Sequence, residues 1–298
     1  MTTSKRKFSF SISLFFIYLF IMLFSFVCLY PFLIMISGSF STSVDTMKYG
    51  FSIVPRHFTA AAYSILLANI GSIANSYKIT ITVTVVGTIL SLVVNSMMGF
   101  VLSRKKVKFK RFMNIYVLIT MLFSGGMVPW YIICVHYLQL KNTIFALILP
   151  YVVSAWYIFL IRNYFNSVPE EMYESATMDG ASDFLIFRKI YMHLATPVLA
   201  TVVLFSALAF WNDWWLGLML TDNNNLQPLQ LLLRTITANI QFLQSTNASP
   251  ETQKMLSQVP TQGVQMAMVI ITTGPIILLY PFVQKYFVKG IMIGAVKG

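Results

Sequence analysis

Long apolar runs alternate with short polar connections along this chain, and no charged side chain falls between Phe8 and Val44. Comparable runs recur further on. A segment in lipid must satisfy its own backbone groups, so a run of about 20 apolar residues defaults to a helix. The pattern predicts an all-α polytopic membrane protein with six transmembrane helices, near Ile12–Ile36, Tyr77–Leu102, Phe112–Val135, Thr143–Ile161, Ala195–Leu220 and Val264–Val283. Gly125, Gly126 and Pro129 should kink the third, and Gly274 and Pro275 the sixth.

Composition agrees: 57% of residues are apolar and 10% charged, against about 45–50% and 25% in soluble domains. A net charge of +12 raises the question of nucleic acid, and the run "RKKVKFKR" (Arg104–Arg111) could be read as such a patch. Its other reading is a topology anchor between two spans, and on that reading no nucleic acid is expected. With the N-terminus in the cytoplasm, Lys5, Arg6, Lys7, the Arg104–Arg111 run, Arg162, Arg188, Lys189, Lys285, Lys289 and Lys297 all fall inside. Only Lys48, Arg56, Lys78, Lys141, Arg234 and Lys254 fall outside. This bias favours both termini inside. Residues 38–76 and 221–263 are then external. The second of these is rich in Asn, Gln and Thr, with Pro228, Pro250 and Pro260. Its length suits either a contact surface or a solvated loop.

Lys5–Lys7 ahead of an apolar run resembles a signal peptide, but no A-x-A site closes a short h-region. "SFV" before Cys28 lacks the small residue of a lipoprotein site. Cys28 and Cys134 lie in different runs without CxxC spacing, which indicates core residues rather than a disulfide or metal site.

Five of the nine acidic residues, Glu170, Glu171, Glu174, Asp179 and Asp183, gather in one short stretch. Ser167 stands three residues before Glu170, the spacing of a capping box, and Pro169 suits a first helical turn. Glu170 and Glu171 favour the positive end of the helix dipole. Asp179-Gly180 should stop this helix, with Gly180 in a left-handed cap. A second helix should begin near Ser182 and Asp183 and present Phe184, Phe187, Ile190, Tyr191 and Leu194 as one apolar face, ending near Pro197. Met172, Tyr173, Ala176 and Met178 give the first helix an apolar surface too. Such a helix, held between two spans on the cytoplasmic side, is either a knob for a partner's groove or a helix lying at the headgroup boundary. Its acids disfavour contact with an anionic leaflet.

The stretch "ESATMDGASDFLIFRKIYMHLATP" resembles the EAA loop of permease subunits of bacterial binding-protein-dependent carbohydrate ABC importers. Glu174, Ala176, Asp179, Gly180, Ala181, Phe187 and Ile190 match its E-A-A, D-G-A and apolar-helix positions. Ser175 replaces an Ala, and Met192 and His193 stand where the family's L-P lies. "FWNDWWLGLML" is similar to the W-N-[DE] segment of sugar permeases such as the maltose-transporter subunit MalG. "NSYKITITVTVVGTILSLVVNSMMGFVLSR" resembles that family's second span, and "FVQKYFVKGIMIGAVKG" its G-x-V-K-G ending. The tail looks nearest to the LplC/YtcP branch, which handles complex glycans.

This resemblance implies a type I ABC importer permease fold with a cytoplasmic EAA coupling helix at about 168–180. It implies a tail, first helix and external segment in 1–70, an importer transmembrane domain in 71–285 and a cytoplasmic C-terminal tail in 286–298. The implied function is the permease subunit of an ATP-driven importer that takes a sugar or oligosaccharide from an external binding protein into the cytoplasm of a bacterium, across its inner membrane. The implied partners are a second homologous permease in a heterodimer, two copies of a cytoplasmic ABC ATPase, the solute-binding protein, the carbohydrate and the lipid bilayer. No cofactor is expected in this chain: it has no Walker A sequence, and ATP and Mg would be bound by the ATPase. It is expected not to be an enzyme, as no G-x-S-x-G or H-E-x-x-H motif occurs.

In the family, Glu170, Glu171, Glu174, Ala176, Asp179, Gly180 and Ala181 would couple to the ATPase. Glu174 would anchor the first helix either to the ATPase or across the corner near Arg188. Trp211, Asn212 and Asp213 would line or gate the pathway, or cap a helix. The alternative is an ion-coupled secondary transporter of a small polar solute. Its proton relay would have little to work with, because Asp213 and His136 both lie near outer span ends.

Overall fold

The computed structural model describes residues 12–245 and 260–277. Lys5–Lys7, Lys254, the end of the sixth predicted span and the G-x-V-K-G tail lie outside the described residues. The described chain is helical with no strand, apart from an isolated antiparallel bridge between Ser41 and Phe58. Its described residues divide into two compact units, one of residues 12–69, 236–245 and 260–271, the other of 70–235 and 272–277.

The first unit holds α1 (Ile12–Ser39), α2 (Ser43–Tyr49) and α3 (Ala61–Ala68). Helix α1 is apolar all round, as a lipid-facing span should be, and none of its hydrophobic stretch is buried. Gly38 marks a close approach, since a Cβ there would fall 2.2 Å from Met266 Sδ. Beyond α1 the chain folds on itself. Phe40 stacks on Phe58 and Tyr63, at 5.0 and 4.8 Å between ring centroids. Thr42 caps α2, accepting the Asp45 N–H and donating to its carboxylate at 2.8 Å. Asp45 also meets His57 Nδ1 at 2.9 Å. The Thr42 hydroxyl and then His57 hold the Asp45 carboxyl below its usual range.

The second unit is built around α4 (Ile70–Ser103), against which α8 (Ala155–Asn166) and α12 (Thr196–Trp211) pack. Small residues make this possible, because helices in lipid associate through close packing rather than hydrophobic drive. A Cβ on Gly87 would lie 2.6–2.8 Å from the Phe210 ring of α12. One on Gly99 would meet Ile161, and the Ile158 and Arg162 backbone of α8, at 3.0–3.2 Å. One apolar cluster joins Ile79, Val83, Cys134, Leu147, Phe210 and Leu216, and a second joins Phe100, Phe165, Phe187, Tyr191 and Val202.

The third, fourth and fifth apolar runs are each broken. Helix α5 (Lys110–Leu122) turns by 111° into the segment Met127–Tyr137, which comprises α6 (Met127–Ile132) and a π-turn at Ile133–Tyr137. At the Gly125-Gly126 pair with Pro129 the chain thus turns past a right angle, more sharply than a kink within one helix. The fourth run forms a 3₁₀ turn at Ile144–Leu147 and α7 (Leu149–Val152), then bends by 45° into α8. The fifth ends as a helix at Trp211. Asn212 and Asp213 interrupt it before α13 (Trp215–Leu220). Among the described residues two helices are long and apolar enough to cross a membrane singly, and up to five crossings result if each bent pair counts as one.

Helix α9 (Glu170–Met178), α10 (Asp183–Ile186) and α11 (Met192–Leu194) form the corner between α8 and α12. The segment 229–245, expected as an external loop, contains α14 (Leu229–Ser245). The last described helix, α15 (Thr261–Ile277), runs unbroken through Gly274 and Pro275.

Candidate functional site: the acidic corner and its basic clamp

Helix α9 ends in a complete Schellman turn. Ala181 N–H donates to Ala176 O and Gly180 N–H to Thr177 O, both at 3.0 Å. Gly180 adopts φ +79°. No atom would meet a Cβ there within 4 Å, so the cost of a side chain is conformational alone. Ser182 then caps α10, accepting the Leu185 N–H. Both features agree with the expected corner.

Two expectations fail. Ser167 forms no capping box: its hydroxyl donates to Tyr164 O at 2.7 Å, closing α8, and Pro169 precedes α9 without a side-chain cap. The apolar face of the second helix is also different. Ile186, Phe187 and Tyr191 are buried, whereas Phe184 and Leu194 are exposed. The π-turn at Phe187–Tyr191 inserts extra backbone and rotates the face away from the regular spacing.

Of the site residues read from the sequence, Glu171, Glu174, Asp179 and Gly180 are exposed on the corner. Met178, 82% exposed, and Met172 stand beside them as apolar groups. Ala176 and Ala181 turn the other way and pack with Tyr173 against the Phe165–Tyr191 cluster. Glu170 is half-buried and pairs with Lys105. Hydrogen bonding to Lys105 lowers the Glu170 carboxyl below its usual range, and the same bond raises Lys105. The Tyr173 hydroxyl donates to Asp183 Oδ1 at 2.6 Å, tying α9 to α10 across the corner.

The basic run thus does more than mark topology, which the linear pattern did not reveal. The Arg104 guanidinium lies 4.4 Å from the Tyr191 ring, 4.8 Å from Tyr173 and 5.1 Å from Phe100. Lys110 Nζ donates to Ser103 O at 3.0 Å, folding the loop back on the end of α4.

At the other residues read as functional, the geometry is that of a junction. Trp211 is buried and donates its indole N–H to Thr272 O at 3.1 Å. The buried Asp213 carboxylate accepts the Leu216 N–H at 3.2 Å and so caps α13. Asn212 is exposed, and its Oδ1 accepts from Gln230 Nε2 of α14 at 3.3 Å. Arg234 of α14 stacks 3.6 Å over Trp214.

Asn95 escaped the sequence reading. Fully buried in α4, it donates to Ser91 O and to Val152 O, at 2.6 and 2.7 Å, and accepts the Ser154 N–H at 2.9 Å. It therefore serves both sides of the α7–α8 break. Among the described residues no cluster of His, Cys, Asp or Glu could hold a metal ion.

Comparison with known proteins agrees with this architecture. Residues 91–293 match the family described as binding-protein-dependent transport system inner membrane component. Over 273 residues the chain is 38% identical to Protein LplC of Bacillus subtilis (strain 168), covering 91% of this chain and 90% of LplC. It is 34% identical over 282 residues to the polygalacturonan/rhamnogalacturonan transport system permease protein YtcP of the same organism, covering 95% and 97%. A chain from the crystal structure of a bacterial ABC transporter involved in the import of the acidic polysaccharide alginate superposes with a TM-score of 0.79 at 29% identity, over 95% of this chain and 100% of that one. The matched segment holds both the acidic corner and the Trp211–Asp213 junction, and the chain belongs to the binding-protein-dependent transport system inner membrane components, the membrane-embedded permease subunits of ABC importers.

Proposed function

We propose that this permease carries a sugar or oligosaccharide, handed over by an extracytoplasmic binding protein, into the cytoplasm of a bacterium, with α9 as its coupling helix. The relatives' carbohydrate names support the substrate class. The second permease would form a heterodimer with this chain. Two copies of a cytoplasmic ATPase would hold ATP and Mg and dock on the corner, which would share the cytoplasmic side with both termini. The domain limits expected above, with the importer domain over 71–285, belong to the same reading. Asn212 faces outward and is the member of the Trp211–Asp213 group suited to a polar solute, whereas Asp213 is occupied as a cap. Family membership does not favour the ion-coupled alternative.

The observation that carries the coupling role is the exposed side of α9. Glu171, Glu174, Asp179 and Met178 project from a helix whose opposite side is packed and whose end is fixed by a left-handed turn. A side chain at Gly180 resists that turn by about 1 kcal/mol or more. Gly180→Val and Glu174→Lys should leave the spans inserted and the chain in the membrane, yet lower uptake and ATPase retention in the purified complex. Coupling at the wild-type level in both variants would remove α9 from the mechanism.

A further inference from the structure

Among the described residues Arg104 is the one side chain whose charged group touches rings from α4, α9 and the π-turn together. Phe100 comes from α4 and Tyr173 from α9. Tyr191 ends the π-turn and is fully buried. The rings are themselves interlocked: Phe100 and Tyr191 meet edge to face at 5.0 Å, and Phe165 of α8 meets Tyr191 at 5.3 Å. The guanidinium is steadied from its own backbone side, with Nε and Nη2 each 3.3 Å from Ser103 Oγ. One residue on, Lys105 pairs with Glu170 at the start of α9. A planar guanidinium stacks on aromatic faces as an ammonium cannot.

We propose that Arg104 is a positioning residue for transport: it fastens the coupling helix to the cytoplasmic end of α4, so that displacement of α9 passes directly into α4 as well as along the chain into α8 and α12. This rests on the reading of α9 as the coupling helix. Without the clamp, α9 would remain joined to the end of α4 through Lys105–Glu170, a largely exposed pair of small worth, and through the packing of Tyr173 and Ala176 on the Phe100 cluster, and would move with less effect on the central helix. The Tyr191 hydroxyl finds no hydrogen-bond partner among the described residues, so the ring, not the hydroxyl, is what Arg104 uses.

The test compares Arg104→Lys, Arg104→Gln and Tyr191→Phe in the assembled complex in proteoliposomes, with the binding protein and its sugar. Solute taken up per ATP hydrolysed is measured alongside membrane abundance and ATPase retention. Both Arg104 variants should assemble normally and lose coupling by about fivefold or more, the factor that about 1 kcal/mol of cation–π contact represents. Tyr191→Phe should keep the wild-type ratio. A ratio within about twofold of wild type in Arg104→Gln overturns the proposal, as does full rescue by Lys, because charge alone would then suffice. Loss of assembly in both Arg104 variants would also overturn it, by making the residue a folding element only. Gly180→Val is the internal control. If it uncouples while the Arg104 variants do not, this inference fails and the coupling helix stands. If neither uncouples, the reading of α9 fails as well.

Discussion

Asn95 illustrates how much one polar side chain can organise where water is absent. Its amide bonds the last carbonyl of α7 and the N–H just before α8, both of which the break leaves without a helical partner. Asn95→Leu keeps the volume and strands those groups, at a cost of about 1–3 kcal/mol. Asn95→Asp retains an acceptor for Ser154 and loses the donor for Val152, so it should fall at least as far. Both should lower the thermal unfolding midpoint of the detergent-purified complex, and an unchanged midpoint would show that the bend holds without Asn95. None of this was legible in the sequence. A lone Asn in an apolar run signals a buried partner but not which one. Gly180 and Ser182 were legible, because a left-handed cap and a serine cap are local demands. Ser167 misled for the same reason: its spacing to Glu170 fits a capping box, yet the nearer Tyr164 carbonyl takes its hydroxyl.

At the scale of elements, what hydropathy shows and what it conceals separate cleanly. Apolar length located α1, α4 and the helices of the third, fourth and fifth runs, since lipid-facing and protein-facing residues look alike in composition. It could not show that the third and fourth runs bend by 111° and 45°, or that the second corner helix meets the fifth run at 84°. Those bends depend on local backbone chemistry: Gly125-Gly126, the Val153-Ser154 interruption, and the Ala195–Pro197 junction between α11 and α12. The π-turn at Phe187–Tyr191 shifted the buried face of the second corner helix for a similar reason, as no 3.6-residue period anticipates an inserted residue. Helix α14 was hidden differently. Its Asn, Gln and Thr content reads as loop, while Leu229, Leu232, Ile236 and Ile240 keep helical spacing. Arg104 was visible only as one charge among several, and its aromatic partners are brought to it by three separate elements.

For the whole molecule, the charge bias and the clamp point to one orientation. The Arg104–Arg111 run and the acidic corner touch, so they lie on one side of the bundle. Basic loops favour the cytoplasm. In a Cys28→Ala/Cys134→Ala background, cysteines at Lys106 and Ser182 should be shielded from an impermeant thiol reagent in intact cells. One at Ser249, outside the described residues, should react. Labelling at Lys106 with silence at Ser249 would invert the topology.

The sharp turn between α5 and α6 has a separate consequence, in wetting. Ser124, Gly125 and Gly126 are non-helical and exposed in a stretch otherwise apolar enough to lie in lipid, with Gly126 at φ +89°. Hydrocarbon offers their backbone nothing; Gly126 is served locally, its N–H donating to Ser124 Oγ and its carbonyl accepting from Trp130 N–H, both at 3.3 Å, and no such bond is seen for the Ser124 and Gly125 N–H groups among the described residues. A subunit standing alone is therefore expected to draw water into a notch at this turn and dimple the bilayer around it. Hydrogen–deuterium exchange at Gly125 should be fast in the isolated subunit, and slow exchange there would mean that the chain seals its own notch. Where a second protein covers that turn the dimple disappears, so the bilayer itself penalises the unassembled subunit.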